Sequence, residues 1–256
     1  MNRVALITGG SRGIGLGIAK QLAKEGFDLA IIGVRDESQA IETLQELRAL
    51  GVNVEYLRGN IALKEDRASI IHGLREKFGR IDVLVNNAGV APRTRCDVLE
   101  ISEEDYDILM EINQKGTFFL TQEIAKWMAE LKQANPESDL SIVTITSVSA
   151  EIASVTRGAY CMSKAALSMM STVFAIKMAE FGIPVYEIRP GVIETDMIEA
   201  VRETYHKNVK SGMTLEPRMG QPEDIGKVVA ALVRGDLPYS TGQIISVDGG
   251  MNIKRM

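Results

Sequence analysis

Residues 4–15 read VALITGGSRGIG, a short apolar run followed by a turn rich in glycine and by the start of an amphipathic segment. Gly9, Gly13 and Gly15 permit a tight turn, a close approach of the backbone to a pyrophosphate, and close packing of a helix on a strand. The N-terminus of that helix offers unpaired N–H groups and the positive end of its dipole. The stretch therefore predicts a strand, a phosphate-binding turn and a helix.

The same alternation of apolar runs and helical patterns continues to the end of the chain. Further candidate strands lie at 29–32, 52–57, 81–86, 141–146, 185–189 and 244–247. Candidate helices lie at 15–25, 38–50, 64–78, 102–131, 158–181 and 222–234. Most of the strands lack polar alternation, which is typical of a parallel sheet covered on both faces. We therefore predict one α/β domain over residues 1–256, doubly wound, with a seven-stranded parallel sheet and helices on both faces.

One long stretch, residues 192–220, shows no regular pattern. A loop of that length in a compact domain is either disordered or functional. Its apolar side chains, among them Met197, Met213 and Met219, favour a lid that lines an apolar pocket. We expect this segment to cover the substrate.

Composition excludes several classes of protein. The 256 residues include 29 Lys and Arg against 34 Asp and Glu, a net charge of −5 that does not favour nucleic-acid binding. Cys96 and Cys161 form no CxxC pair, which argues against a disulfide framework and a cysteine zinc site, and we expect no metal. The chain opens directly on an apolar strand, and no apolar run approaches the roughly 18–20 residues of a membrane span. We expect a cytoplasmic enzyme.

The segment Tyr160-Cys161-Met162-Ser163-Lys164 carries the strongest catalytic signal. At this spacing Tyr160 and Lys164 share one helix face. A free phenol has a pKa of about 10, and a neighbouring ammonium lowers it toward neutral pH. Ser147 follows the candidate strand 141–146, at the carboxyl edge where ligands of parallel sheets bind. These residues predict acid–base chemistry on a ligand bound at that edge.

The glycine-rich turn also matches a second motif. Residues 9–13 read GGSRG, which fits the GxSxG nucleophile elbow of α/β-hydrolases with Ser11 as the nucleophile. A hydrolase needs a histidine later in the chain, and only His72 and His206 are present. Neither has a context that would orient it, and no HGGG segment occurs. A hydrolase is therefore an alternative without recognisable partner residues.

Taken together, these segments resemble the short-chain dehydrogenase/reductase family. The resemblance covers nearly the whole chain and also rests on Asn86-Asn87-Ala88-Gly89, Asn113, Pro190-Gly191 with Thr195, and the closing segment 241–250. Residues 190–197, PGVIETDM, are most similar to the 3-oxoacyl-acyl-carrier-protein reductase branch. The resemblance implies a Rossmann-type fold and the NADPH-dependent reduction of a 3-oxoacyl thioester or similar ketone to a secondary alcohol, as in fatty acid biosynthesis.

The resemblance also implies roles for individual residues. Tyr160 would be the general acid in reduction and the base in the reverse direction, and Ser147 would stabilise charge on the carbonyl oxygen. Lys164 would lower the pKa of Tyr160 and hold the nicotinamide ribose, and Asn113 would anchor a water-linked proton relay to Lys164. A kink or cap in the helix is the alternative role for Asn113.

The cofactor contacts implied by the resemblance are Gly9, Ser11, Arg12, Gly13, Ile14, Gly15, Arg35, Asn60, Ile61, Asn87, Ala88, Gly89, Tyr160, Lys164, Pro190, Gly191, Ile193 and Thr195. NAD-preferring members place a carboxylate at the end of the second strand, near Gly33 or Val34 here. Arg12 and Arg35 favour the 2′-phosphate of NADP instead. Asp36 would reach the ribose after a shift of one or two residues, so NAD stays open. Asn60 stands where the family usually has Asp, and its carbonyl oxygen would still pair with adenine.

The substrate partner and the assembly state are less sharply indicated. An acyl carrier protein is acidic, yet the candidate helix 158–181 ends with Glu180 and Phe181, where a basic residue would help it dock. The same helix has apolar residues on more than one face, which with the family resemblance predicts a homotetramer.

Two other functions remain open. One is a sugar, polyol or other secondary-alcohol dehydrogenase that uses the same residues. The other is a catalytically silent dinucleotide-binding sensor, which would have no need for Ser147, Tyr160 and Lys164 together.

Overall fold

A computed structural model describes residues 2–255 of the chain. Its seven strands are β1 Val4–Thr8, β2 Asp28–Gly33, β3 Val54–Arg58, β4 Val83–Asn86, β5 Ser141–Ile145, β6 Val185–Pro190 and β7 Ile244–Val247. They form one sheet in the order β3-β2-β1-β4-β5-β6-β7, and every neighbouring pair is parallel. The predicted seven-stranded parallel sheet is confirmed.

Helices cover both faces of this sheet. They are α1 Gly13–Lys24, α2 Ile41–Arg48, α3 Lys64–Phe78, α4 Glu103–Leu109, α5 Thr117–Ala134, α6 Gly158–Ala179, α7 Arg202–Lys210 and α8 Pro222–Arg234. Side chains alternate across β1, so that Ala5 and Ile7 pack against α1, α2 and α8, while Leu6 packs in the opposite cluster with α3, α5 and α6. Both faces of β1 are therefore buried, which explains why its sequence lacks polar alternation.

The candidate helix 102–131 differs most from expectation, because it is interrupted. Ser102 caps α4 by accepting a hydrogen bond from the Asp105 N–H at 3.1 Å. A π-helical segment, Met110–Gly116, then separates α4 from α5. At Gly116 the chain passes so close to the loop after β3 that a Cβ would lie 2.6 Å from the carbonyl oxygen of Ile61. The distortion lies where the helix passes this loop, and Asn113 lies within it.

Residues 192–220 are more regular than predicted. They contain a 3-10 helix, Asp196–Val201, followed directly by α7. Short polar helices of this kind give only a weak periodic signal, so the expectation of a wholly irregular stretch was wrong.

One helical stretch, Val155–Ala179, is long and apolar enough to cross a membrane by length and composition alone, although no such run was expected. Of its most apolar window, 44% is buried inside the protein. Because α6 packs its Leu167, Met170 and Phe174 into the core on the sheet, the apolar character of this stretch has a structural explanation.

The strand order creates a crevice at one edge of the sheet. β1 lies between β2 and β4, so the chain winds in one direction from β1 to β3 and in the other from β4 to β7. In open parallel sheets, ligands bind outside the carboxyl ends of the strands at this reversal. Thr8 and Asn86 end the two strands on either side of it.

Candidate active site

The glycine turn, residues 9–12, joins β1 to α1 at the crevice. Gly9 has φ of 66°, in the left-handed region that favours glycine. A side chain at Gly15 would collide with the carbonyl oxygen of Gly9, so the helix packs directly on the turn. No side chain caps α1, and the N–H groups of its first turn are therefore available to an anion. This arrangement fits the pyrophosphate of a dinucleotide.

The end of β4 is tied to the glycine turn. The side-chain amide of Asn87 donates to the carbonyl oxygens of Thr8 at 2.8 Å and Gly9 at 3.3 Å. In return, the Thr8 hydroxyl accepts from the N–H groups of Asn87 at 2.9 Å and Ala88 at 2.8 Å. The predicted contacts Asn87 and Ala88 thus lie at the reversal of strand order and fix the turn in place.

Of the two positions at the end of β2 where a carboxylate was considered, Gly33 is crowded and Val34 is exposed. A Cβ at Gly33 would collide with the hydroxyl of Tyr56, which donates to the carbonyl oxygen of Arg35 at 2.9 Å. The Arg35 guanidinium donates to the hydroxyl of Ser11 at 3.1 Å, so Arg35 lies against the glycine turn. Arg12 is exposed at the N-cap of α1 and makes no capping bond.

Asp36 is engaged elsewhere. Its carboxylate lies 2.7 Å from Arg58 Nη1, at the end of β3, and caps a short 3-10 helix, Glu37–Gln39. Sequence analysis missed Arg58, because the register that places β3 beside β2 is a long-range property.

Asn60 and Ile61 follow β3 with most of their polar groups already bonded. The carbonyl oxygen of the Asn60 side chain accepts from the Ala62 N–H at 3.0 Å, and the Asn60 N–H donates to Asp66 at 2.7 Å. Ile61 is buried, and its carbonyl oxygen accepts from Arg67 at 2.6 Å. One lone pair of the Asn60 oxygen remains for the predicted pairing with adenine.

The three predicted catalytic side chains meet at the carboxyl edge. Ser147 follows β5 and caps a short 3-10 helix, Val148–Ala150, by accepting from the Ser149 N–H at 3.0 Å. Tyr160 and Lys164 lie in the first two turns of α6, with Lys164 Nζ 5.8 Å from the centre of the Tyr160 ring. Lys164 Nζ also donates to the carbonyl oxygen of Ile145 at 3.2 Å. The ammonium is thereby linked to the strand that precedes Ser147.

The pKa of Tyr160 is raised above its ordinary value because protein surrounds the phenol. A hydrogen bond with Ser147 and the positive charge of Arg157 act in the opposite direction and lower it. Arg157 Cζ lies 5.8 Å from the centre of the Tyr160 ring. Sequence analysis expected Lys164 to lower this pKa and missed Arg157, although the position three residues before Tyr160, one helical turn away, was a usable signal. The effect of Lys164 on Tyr160 stays a prediction.

Burial lowers the pKa of Lys164 to about 8, and the negative charge of Glu187 partly opposes this by raising it. Lys164 is therefore close to losing its proton at mildly alkaline pH.

Asn113 is fully buried beside Lys164. Its side chain accepts from the Val90 N–H at 2.8 Å and donates to the Val90 carbonyl oxygen and to the Ser163 hydroxyl, each at 3.1 Å. A Cβ at Gly89 would lie 3.2 Å from Asn113 Oδ1 and 3.7 Å from Lys164 Nζ. Both side chains therefore lie next to the same point above Gly89. Asn113 also lies within the π-helical distortion, so its alternative role at a helix kink stays open.

The segment after β6 closes the far side of the crevice. Gly191 passes so close to Asp248 that a Cβ would lie 2.7 Å from the Asp248 Cα. Thr195 lies opposite the glycine turn, with its methyl carbon 3.4 Å from the position of a Cβ on Gly13. Pro190 and Ile193 are buried, which leaves mainly their backbone for a ligand.

A tyrosine from residues 192–220 reaches this site. The hydroxyl of Tyr205, in α7, accepts from Arg95 Nη2 at 3.4 Å, and Tyr205 is near enough to Tyr160 to raise its pKa. Sequence analysis gave neither Tyr205 nor Arg95 a role, because the loop 91–102 and α7 meet only in the fold.

The hydrolase alternative finds no support in this geometry. Ser11 is buried and bonded to Arg35. Nε2 of His206 lies 3.5 Å from a Glu194 carboxylate oxygen, and His72 lies within α3. Among residues 2–255, no histidine makes a hydrogen bond with the Ser11 hydroxyl.

Comparison with known proteins gives consistent matches. A family model described as enoyl-(acyl carrier protein) reductase matches residues 9–252. A 3-oxoacyl-[acyl-carrier-protein] reductase FabG of Staphylococcus epidermidis is 33% identical over 254 residues, 98% of this chain and 99% of the relative. A 3-oxoacyl-[acyl-carrier protein] reductase from Brucella melitensis, solved in complex with NAD, has a TM-score of 0.92 and 40% identity over 100% of this chain and 99% of its own. A putative gluconate dehydrogenase from Agrobacterium tumefaciens has a TM-score of 0.87 and 32% identity over 97% and 95% of the two chains.

Proposed function

The chain belongs to the short-chain dehydrogenase/reductase family, and from this premise we propose that it reduces the carbonyl of a 3-oxoacyl thioester or a similar ketone to a secondary alcohol. The observation that carries the proposal is the meeting of Ser147, Tyr160 and Lys164 at the carboxyl edge, beside a glycine turn with free N–H donors. A nicotinamide dinucleotide bound along this crevice supplies the hydride.

The chain's own residues then manage the proton and the charge. Tyr160 donates its proton to the carbonyl oxygen as negative charge develops there. Ser147, hydrogen-bonded to Tyr160, stabilises that charge. Lys164 would hold the cofactor ribose with its ammonium, and Asn113 beside it would anchor the path by which Tyr160 regains a proton. In the oxidative direction Tyr160 is the base.

We propose NADP as the preferred dinucleotide. Arg12 is exposed at the glycine turn and Arg35 lies against it, while Gly33 cannot carry a carboxylate because Tyr56 fills that space. Asp36 forms an exposed ion pair with Arg58, which competes with a bond to the ribose. The Brucella melitensis relative was solved with NAD, so both dinucleotides belong in the assay. A higher kcat/KM with NADH than with NADPH would contradict this assignment.

For the substrate, a thioester carried on acyl carrier protein is the first candidate, and residues 192–220 are proposed as the lid over it. Arg95, exposed on the loop before α4 and bonded to Tyr205, supplies positive charge on the side of the proposed lid. The cytoplasmic location and the homotetramer expected from the sequence stay predictions, and the homotetramer is treated below.

A second candidate is a dehydrogenase of polyols or sugar acids. It is favoured by the likeness to the putative gluconate dehydrogenase and by the positive charge of Arg157 beside Tyr160, which would attract a carboxylate. Comparing carrier-bound and free 3-oxoacyl thioesters with sugar acids in one absorbance assay separates the two candidates.

Tyr160→Phe tests the mechanism itself. Because the variant keeps the ring and loses the proton donor, we expect kcat to fall by about 100-fold or more, with dinucleotide binding retained. Nicotinamide absorbance measures the rate. Tyr106→Phe, which removes the same hydroxyl from a solvent-accessible tyrosine on α4, is the matched control and should keep its rate. Undiminished activity in Tyr160→Phe would show that the proposed mechanism is wrong.

A further inference from the structure

A buried ion pair lies within β6. Glu187 and Arg189 point to the same face of the strand, are only 2% and 8% exposed, and bring Arg189 Nε to 2.6 Å from a Glu187 carboxylate oxygen. The sequence of residues 185–189 predicts a strand and does not indicate an ion pair. A buried ion pair adds little stability over apolar side chains of similar volume. Its presence beneath the active site therefore requires another explanation.

The hydrogen bonds of Glu187 point to its role. One carboxylate oxygen accepts from the Thr146 hydroxyl at 2.7 Å and the other from the Ser168 hydroxyl at 2.8 Å. Thr146 stands between Ile145, whose carbonyl oxygen holds Lys164, and Ser147. Ser168 lies four residues after Lys164, on the same face of α6. Glu187 thus contacts the residue that directly precedes Ser147 and a residue one helical turn after Lys164 on α6.

Arg189 extends this network to the loop after Ser147. Its Nη2 donates to the Ser168 hydroxyl at 2.8 Å, and its Nη1 forms an ion pair with Glu151. Glu151 directly follows the 3-10 helix that Ser147 caps. The segment carrying Ser147 is therefore held at Thr146 by Glu187 and at Glu151 by Arg189.

We propose that Glu187, held by Arg189, is a positioning residue that fixes Ser147 and Lys164 relative to each other and stabilises the positive charge of Lys164. This inference rests on the proposed function, because it assigns Glu187 a part in the same reaction. Glu187 itself contacts neither the substrate nor the dinucleotide in this assignment and acts through Thr146, Ser168 and Lys164.

The electrostatic part of the proposal has a definite sign. The charged and titratable groups near Lys164 are Tyr160 on its own helix, Glu187 and Arg189 on β6, and Glu151 beyond them. Glu187 raises the pKa of Lys164 against the effect of burial. Without its negative charge, Lys164 would lose its proton at a lower pH. The alkaline decline of the reduction rate should then move to lower pH.

Two variants test this proposal. Glu187→Gln removes the charge and keeps the shape. The double variant Glu187→Val with Arg189→Leu removes the whole pair and leaves no buried charge unpaired, because Glu151, the other partner of Arg189, is exposed to solvent, so it should fold even if Glu187→Gln does not. In both, we expect kcat to fall by roughly tenfold or more, since Ser147 and Lys164 lose their fixed positions. We also expect the alkaline limb of the kcat profile at lower pH.

Asp82→Asn is the matched control. Asp82 is also a buried carboxylate paired with an arginine, Arg80, at 2.6 Å, but it lies at the start of β4, at the amino edge of the sheet away from the crevice. It should lower the melting temperature without moving the pH profile. If the alkaline limb of the kcat profile moved equally in Asp82→Asn, the effect would come from general destabilisation and the proposal would be overturned. A double variant with the kcat and pH profile of the wild type would also overturn it.

A binding titration gives a readout that is independent of turnover. NADPH fluorescence measures Kd as a function of pH, and we expect Kd in Glu187→Gln to rise at a lower pH than in the wild type because the Lys164 ammonium is lost earlier. Coincident curves would count against the electrostatic part. If none of the carbonyl compounds offered to the wild type leads to NADPH oxidation, it is the proposed function that fails, whatever these binding curves show.

Discussion

Tyr160 experiences opposing influences whose balance sets the pH range of its chemistry. Burial raises its pKa, while the Ser147 hydrogen bond and the Arg157 charge lower it. Arg157 stands immediately before the first residue of α6, one helical turn ahead of Tyr160. The guanidinium carbon of Arg157 lies 5.8 Å from the centre of the Tyr160 ring, so its charge acts on the phenolate without a direct contact.

Arg157→Gln removes the positive charge beside Tyr160. The pKa of Tyr160 should rise further, because phenolate loses a stabilising cation. In the oxidative direction, where the phenolate is the base, the pH at which the rate rises should therefore move upward, and the rate at neutral pH should fall. The pH profile of alcohol oxidation measures this shift.

Arg93→Gln is the control for Arg157→Gln. Arg93 is exposed and paired with Glu104 at 3.3 Å, and it does not act on the pKa of Tyr160. Its profile should match the wild type. A shift of Arg157→Gln toward lower pH would contradict the assigned sign.

Residues whose function depends on local spacing were found from sequence. Tyr160 and Lys164 are four residues apart on one helix, and Ser147 follows a recognisable strand, so their meeting at one edge follows from helix geometry and parallel strands. Glu187 and Arg189 were missed because their partners lie on β5 and α6, 19 to 41 residues away along the chain. No periodic pattern reports such pairing.

At the scale of elements, α1 and α8 pack more closely than any side chain would permit. A Cβ on Gly17 would lie 2.5 Å from the carbonyl carbon of Pro222, and one on Gly226 would collide with the carbonyl oxygen of Gly17. Because α1 also carries the glycine turn, this contact holds the phosphate-binding N–H groups in position. Backbone atoms cannot move aside as a flexible side chain can.

Gly17→Ala should therefore destabilise the protein despite alanine's higher helix propensity. We expect a loss of about 1–3 kcal/mol, because the two helices must separate. Thermal unfolding measures it. Gly73→Ala is the control within α3, where a Cβ would lie 3.1 Å from a Leu57 methyl carbon that can rotate away. A melting temperature in Gly17→Ala equal to that of Gly73→Ala would contradict the close contact.

Helices and strands were predicted well where the local pattern of apolar residues determines them, and poorly where contacts with distant parts of the chain determine their shape. The seven strands follow from apolar runs, and α8 spans the predicted helix 222–234. The π-helical segment at Met110–Gly116 did not, because it lies where the helix passes Ile61. Short helices within 192–220 are similarly set by contacts across the fold.

At the scale of the whole molecule, one surface of α6 remains apolar. Met169, Val173 and Ile176 are 63%, 52% and 73% exposed and lie at i, i+4 and i+7, on one helix face. Phe119 on the neighbouring α5 is also exposed. The opposite face of α6 is buried on the sheet through Leu167 and Phe174. Such an aligned apolar stripe on a folded chain is typical of an interface, and it supports the proposed homotetramer.

Ile176→Lys tests this assembly, because a charge at the most exposed position of the stripe would be buried without a partner between subunits. We expect a tetramer for the wild type by light scattering and a smaller species for Ile176→Lys, since an unpaired buried charge costs several kcal/mol. Leu63→Lys, an exposed apolar residue at the N-cap of α3, should leave the mass unchanged. If the wild type is monomeric in dilute solution, or if Ile176→Lys remains a tetramer, this stripe is not the contact between subunits.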